Sequence, residues 1–167
     1  MSEFSDRVMQ QVPALRRYAR ALTGEHSAAD DLVQDCLERA LSRAHLWRRP
    51  DSLRGWLFAI MHNVHANHRR AAARRPQINE LNEDTHSAVA PSQLDSVHVS
   101  QVAAAVGLLA EDQRRVLLLV ALEGMKYEEV ARLLGVPVGT VMSRLSRARD
   151  RLRELMRRGA PALRRVK

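Results

Sequence analysis

The chain has 167 residues, 46% of them hydrophobic and 28% charged, with a formal net charge of +8 at pH 7. That is enough apolar material to bury a core, which excludes wholesale disorder, and enough length for one domain or two small ones. Aromatic residues make up 4% and alternating β-branched runs are scarce, so an all-α fold is expected. A single cysteine, Cys36, excludes an intramolecular disulfide and a cysteine zinc site. Its neighbours are apolar helix positions, so it reads as a small core residue. The opening MSEFSDRV lacks the apolar core of a signal peptide, and the run Val116 to Leu122 is too short to cross a bilayer. A soluble, cytoplasmic protein is the expectation.

In chain order, Val8, Val12, Leu15, Ala19 and Leu22 recur at helical spacing between about Ser5 and Leu22, and Pro13 predicts a kink or a helix start within that stretch. Thr23-Gly24 ends the element. Ser27 to Asp30 reads as a capping box with a short acid, opening a helix to about Leu46. Its buried stripe would be Leu32, Val33, Cys36, Leu37, Ala40, Leu41 and Ala44, with Asp31, Gln34, Asp35 and Glu38 on the more exposed side. The helix dipole explains acids in a first turn, but not Gln34, Asp35 and Glu38. A loop, Trp47 to Ser52, precedes a third helix from Leu53 to about Arg75, capped by Asp51 or Ser52, with Leu53, Trp56, Leu57, Ile60 and Val64 inward. Its second half, HNVHANHRRAAARR, carries three histidines and four arginines and no acid. The spacing of His62, His65 and His68 drifts too far round a helix for a metal site from these three alone. A polar or nucleic-acid-facing surface suits them better.

Pro76 to Pro91 has no Lys or Arg, three acids and no periodicity, and reads as a flexible acidic linker. The expected domains are therefore 1–75 and 92–167, joined by 76–91. Ser92 would cap a helix with Leu94, Val97, Val102, Val106 and Leu109 as apolar positions. Glu111-Asp112-Gln113 would begin another, with Val116, Leu117, Leu119, Val120 and Leu122 as its core, ending at Gly124.

Tyr127 to Arg153 then reads as a short helix, a tight turn and a long basic helix, the signature of a helix-turn-helix. Val130, Ala131, Leu133 and Leu134 give the short helix its apolar face. Gly135 stands where a left-handed residue would end it, and Pro137 where a missing N–H is harmless. Val141, Leu145, Ala148, Leu152 and Leu155 form one face of the long helix; Thr140, Met142, Ser143, Arg144, Arg147 and Arg151 form the other. From Pro137 onward there are ten Arg or Lys against two acids, whereas the rest of the chain is balanced. Concentrated charge on and after one helix points to a polyanion.

These residues together resemble a small bacterial sigma factor of the extracytoplasmic-function (ECF) group over nearly the whole length. ALTGEHSAADDLVQDCLERAL resembles the family segment that binds core RNA polymerase. LRGWLFAIMHNVHANHRR resembles the segment that engages the −10 promoter element. Residues 113–151 resemble the module that reads the −35 element. The resemblance implies that Asp31, Gln34, Asp35 and Glu38 meet the clamp helices of the polymerase's largest subunit. It implies that the loop carrying Trp47, Arg48, Arg49, Asp51 and Ser52 receives an unstacked −10 base, and that Asn63, His68, Arg69 and Arg70 face −10 DNA. Tyr127, Thr140, Met142, Ser143, Arg144 and Arg147 would contact the −35 element. It further implies promoter DNA as a partner and an anti-sigma factor, often membrane-anchored. No cofactor, metal or enzymatic activity is expected.

The departures from the family pattern are mild. Ala110 replaces a usual proline, no extra domain lies in the linker, and Trp56-Leu57 stands where a tandem aromatic pair would favour melting. Two other readings compete: a free-standing helix-turn-helix regulator, which leaves Asp31, Gln34 and Asp35 without a task, and a metal sensor built on His62, His65 and His68.

Overall fold

The computed structural model describes residues 2–48, 53–75 and 93–159, and these are helical with no strand. The linker 76–91, the capping residues Asp51, Ser52 and Ser92, and the tail beyond Gly159 lie outside the described residues. Helix α1 spans Glu3–Thr23, α2 His26–Ser42, α3 Leu53–Arg74, α4 Gln93–Gly107, α5 Glu111–Leu117, α6 Tyr127–Leu134 and α7 Val138–Arg157. A 3₁₀ turn, Ala44–Leu46, follows α2, and a π-helical turn, Leu118–Leu122, continues α5.

Helices α1, α2 and α3 pack side by side, with most of each predicted stripe buried and Leu37 and Trp56 partly so. Leu15, Leu32 and Leu57 are fully buried, and the Tyr18 ring meets Phe58 edge-on at 5.3 Å. Helix α1 is continuous through Pro13, so no helix start is found there. Pro13 sits on the exposed face, where water can satisfy the carbonyl that loses its N–H partner. The Ser2 hydroxyl accepts from Ser5 N at the start of α1, and Gly24, at φ 71°, closes its end.

The capping box at Ser27 to Asp30 is absent. Glu25 is the N-cap of α2, and the Ser27 hydroxyl donates to Glu25 Oε1 at 2.7 Å instead. Helix α2 also stops short of Leu46. The Ser42 hydroxyl donates back to Arg39 O, and the 3₁₀ turn redirects the chain, which leaves Leu41 51% exposed and Ala44 only half-buried.

Helices α5, α6 and α7 form a second packed group, with α4 against α7 and α1. Val116, Leu119, Val130, Val141, Leu145 and Ala148 make its centre. On α4 the buried positions are Ala105 and Val106, with Leu109 just beyond the helix; Val97 and Val102 are exposed. Five residues apart on a helix, those two valines point about 140° away from each other and cannot share one stripe. The π turn has a similar effect on α5. Glu123 N donates to Leu118 O, five residues back, at 3.1 Å. Through this wider turn the chain leaves Leu122 partly exposed and carries Glu123 inward.

Truncation should separate core from surface. Leu57→Ala is expected to cost about 2–5 kcal/mol in a denaturant titration, and Leu41→Ala about 0.5 kcal/mol or less. Equal losses would contradict the packing described.

Candidate nucleic-acid and polymerase surfaces

The turn between α6 and α7 is built by local chemistry. Gly135 takes φ 66°, a conformation costly for a side chain with a Cβ, and Val136 N returns to Ala131 O at 3.1 Å. Pro137 is the N-cap of α7 rather than its first residue, and its carbonyl accepts from Thr140 N and Val141 N. Glu129 Oε2 accepts from Lys126 N at the start of α6.

The outer face of α7 carries Met142, Ser143 and Arg147 in the open, with Thr140 and Arg144 half-buried beside them. The Ser143 hydroxyl is turned onto Thr140 O at 3.1 Å. Arg144 Nε lies 3.4 Å from Asp112 Oδ2, so a carboxylate at the start of α5 touches one side of this guanidinium. Tyr127 is half-buried and lines a shallow depression with Met142, Leu145, Ser146 and Arg149. Farther along, Arg151 pairs with Glu154 and Arg153 with Asp150 within the helix.

On α2, Asp31, Gln34 and Glu38 are exposed, and Gln34 Nε2 donates to Glu38 at 3.2 Å. Asp35 is drawn off this face: its Oδ2 lies 2.6 Å from His68 Nε2 on α3. Trp47 is half-buried between Phe4, with ring centroids 5.3 Å apart, and the Arg7 guanidinium, 5.0 Å from its ring. Its buried indole N–H has no partner among the described residues. Arg48 and Asn63 are exposed, and Arg70 bonds Asn67 within its own helix. Arg49, Asp51 and Ser52 lie outside the described residues.

The histidines do not form the open polar surface expected of them. His65 is buried against Glu111 Oε1 at 2.8 Å, His68 is turned to Asp35, and His62 is half-buried. They are divided among partners rather than gathered around a common point.

Sequence reasoning missed the acids that join the two groups of helices. Glu111, at the start of α5, also takes Arg69 at 2.7 Å, Arg115 at 3.1 Å and Arg114 at 3.3 Å. Glu123 has a fully buried carboxylate. Arg17 of α1 donates to it through Nε at 3.1 Å and Nη2 at 2.9 Å, and Arg54 of α3 through Nη2 at 2.9 Å. The same Arg54 nitrogen reaches Glu123 O at 2.6 Å, and Arg114 Nη1 crosses in the other direction to Leu22 O at 3.3 Å. A glutamate next to a helix-ending glycine carries no local signal of burial; the π turn that buries it is a tertiary effect.

These contacts set the protonation states. Burial would raise the Glu111 carboxyl, but the His65 hydrogen bond and the neighbouring cations outweigh it and hold the pKa near about 2. Burial, then the Arg115 and His65 charges, push His62 down to about 4, against a smaller opposing pull from Glu111. Burial lifts the Cys36 thiol to about 12, so it stays protonated. His62 ionises at about 6.5 in an unfolded chain, so between that pH and about 4 the unfolded state binds more protons than the folded one. Its contribution is present in full above pH ~6.5 and fades as pH falls through that window. His62→Gln is expected to flatten the loss of stability between those limits; an unchanged slope in pH-resolved denaturation would contradict the burial assigned to His62.

Comparison with known proteins places these surfaces in a family. Residues 8–62 match the family described as the Sigma2 domain of PhyR, and residues 100–152 match Sigma-70, region 4. The ECF RNA polymerase sigma factor EcfG of Rhodopseudomonas palustris is 34% identical over 90% of this chain and 83% of its own. The sigma factor RpoE of Bartonella quintana, solved in complex with the anti-sigma factor NepR, superposes with a TM-score of 0.82 at 33% identity, over 94% of this chain and 98% of its own. CnrH, solved with the cytosolic domain of CnrY, gives a TM-score of 0.68 at 28% identity, over 92% and 87% of the two chains. Helix order, a basic helix-turn-helix and near full-length similarity agree: this chain belongs to the ECF family of RNA polymerase sigma factors, the promoter-directing subunits of the enzyme.

Proposed function

We propose that this sigma factor works through two DNA-binding modules, residues 1–75 and 92–167, joined by the acidic linker 76–91. The carrying observation is the outer face of α7, where Thr140, Met142, Ser143, Arg144 and Arg147 cluster near the helix N-terminus. That end of a recognition helix enters the major groove in helix-turn-helix proteins. Asp112 meets Arg144 at Nε, which leaves the two terminal nitrogens for the acceptor edge of a guanine. Arg147 and Tyr127 would then hold sugar and phosphate, which positions the helix without reading sequence.

In the first module, the exposed Asp31, Gln34 and Glu38 dock on the clamp helices of the polymerase's largest subunit, together with Asp35 once it leaves His68. Acidic and amide side chains on one helix face suit a partner rich in arginine. The −10 element falls to Trp47, Arg48, Arg49, Asp51 and Ser52 of the loop before α3, and to Asn63, His68, Arg69 and Arg70 on α3. Loop side chains can surround a base drawn from the stack, which a groove-bound helix cannot do.

RNA synthesis itself belongs to the polymerase; this chain supplies promoter choice and assists strand opening in the bacterial cytoplasm. Among the described residues no helix is long and apolar enough to cross a membrane. The solved complexes of RpoE with NepR and of CnrH with CnrY support an anti-sigma protein as a further partner. Membrane attachment of that partner rests on the family resemblance alone.

Reconstituted transcription tests the reading: purified protein with core polymerase should give a promoter-specific transcript that core alone does not. Asp35→Arg should weaken binding to core polymerase and leave the affinity of the −35 duplex unchanged. Arg144→Ala should cost about 1–3 kcal/mol of base discrimination, while Arg157→Ala should not alter promoter preference. Equal, sequence-blind losses from both arginine variants would contradict the recognition face.

A further inference from the structure

We propose that Phe4 and Arg7, in the first two turns of α1, are positioning residues for strand opening: they fix the Trp47 indole so that it is ready to receive a nucleobase drawn out of the −10 stack. The inference deepens the promoter reading above and rests on it.

Geometry supplies the first argument. Phe4 stands one turn before the buried Val8 and extends the inward stripe of α1 by one position, with Arg7 one turn along the same side. The Phe4 ring lies 5.3 Å from that of Trp47 and 6.2 Å from that of Trp56, and the Arg7 guanidinium lies 5.0 Å from the Trp47 ring. These are attractive separations for two aromatic rings and for a cation over a ring. Trp47 closes the 3₁₀ turn after α2, while Trp56 belongs to the first turn of α3. Phe4 therefore joins the turn after α2 to the start of α3. Leu57, the chain neighbour of Trp56, is turned fully into the core, so the ring beside Trp56 comes from α1. The family match begins at residue 8, and neither Phe4 nor Arg7 falls within it.

The second argument is how Trp47 is held. Its buried indole N–H has no hydrogen-bond partner among the described residues, so among those residues it is ring contact, not a directional bond, that orients the indole. A base taken from the stack loses the π faces of its neighbours, and an aromatic side chain restores that contact. The restored contact counts for most when the receiving ring is already in place, because little freedom is then lost on binding. A half-buried tryptophan packed on a second ring and a guanidinium meets that condition. Without them the indole would be free to turn about its side-chain bonds. Phe4 and Arg7 belong to α1, not to the α2 acids or the α7 face assigned to polymerase and the −35 element, so their effect falls on opening.

The test uses the full chain on core polymerase and a cognate promoter, with permanganate reactivity of unpaired −10 thymines as the readout of opening. Phe4→Leu keeps an apolar side chain and removes the ring; Phe4→Tyr keeps the ring. Arg7→Gln removes the cation from the same cluster, so the test survives if the Phe4 variants fold poorly. Phe4→Leu should lower −10 reactivity by about tenfold, the scale of a weakened base–aromatic stack, and Phe4→Tyr should restore it. Arg7→Gln should lower it by about threefold. All of these variants should leave core-polymerase affinity and the affinity of the isolated −35 duplex at wild-type values. Wild-type reactivity in either Phe4→Leu or Arg7→Gln, a Phe4→Leu loss that Phe4→Tyr shares, or losses of equal size in opening, core binding and duplex binding, overturns the positioning role alone. A wild-type chain that gives no promoter-specific transcript overturns the promoter reading and the positioning role with it.

Discussion

A carboxylate without solvent, Glu123, held by Arg17 and Arg54, is the constraint on which the arrangement of the molecule depends. The π turn exists at its position: with five residues in the turn, the chain delivers Glu123 to α1 and α3 and leaves Leu122 partly exposed. The Arg54 guanidinium, anchored to that carboxylate and to Glu123 O, lies 5.7 Å from the Phe58 ring, and Phe58 meets Tyr18. One ionic contact thus runs directly into the apolar core of the first three helices. A buried ion pair adds little net stability over apolar packing, but it tolerates few alternative geometries.

Electrostatics divide the surface into regions with different tasks. The acids of α2 and the arginines of α7 face solvent, where charge is inexpensive and available to partners. Those at the joint are paired with one another. Asp35 and Arg69 stand at the boundary, since each belongs by sequence to a partner-facing set and is satisfied internally in this structure. Under the proposed function, binding polymerase or DNA would exchange these internal contacts for external ones.

Much of the fold was legible from spacing. The stripes of α1, α2, α3 and α7 emerge because a helix that buries one face must repeat its apolar residues every three or four positions. Gly24, Gly124 and Gly135 mark helix ends at positive φ. Pro13 misled because its cost depends on which face it occupies, and the Ser27 capping box misled because a serine one residue inside the helix cannot cap it. At the candidate site, the exposed face of α7 follows from its own periodicity. Glu111, Glu123, Arg17 and Arg54 do not, because the partners that join the two groups of helices lie 42 to 106 residues apart and no local pattern encodes such a pairing. The histidines of α3 were misplaced for the same reason: their burial is set by α2 and α5, not by their own helix.

Proximity cleavage most directly tests the proposal that α7 reads the −35 element in the working complex. Ser146 is exposed on α7, and the native thiol Cys36 is buried, so Ser146→Cys gives a selective attachment point for an iron chelate. With this protein assembled on core polymerase and a cognate promoter, strand cleavage should centre on the −35 element. Cleavage centred on the −10 element, or spread evenly along the duplex, would contradict the account.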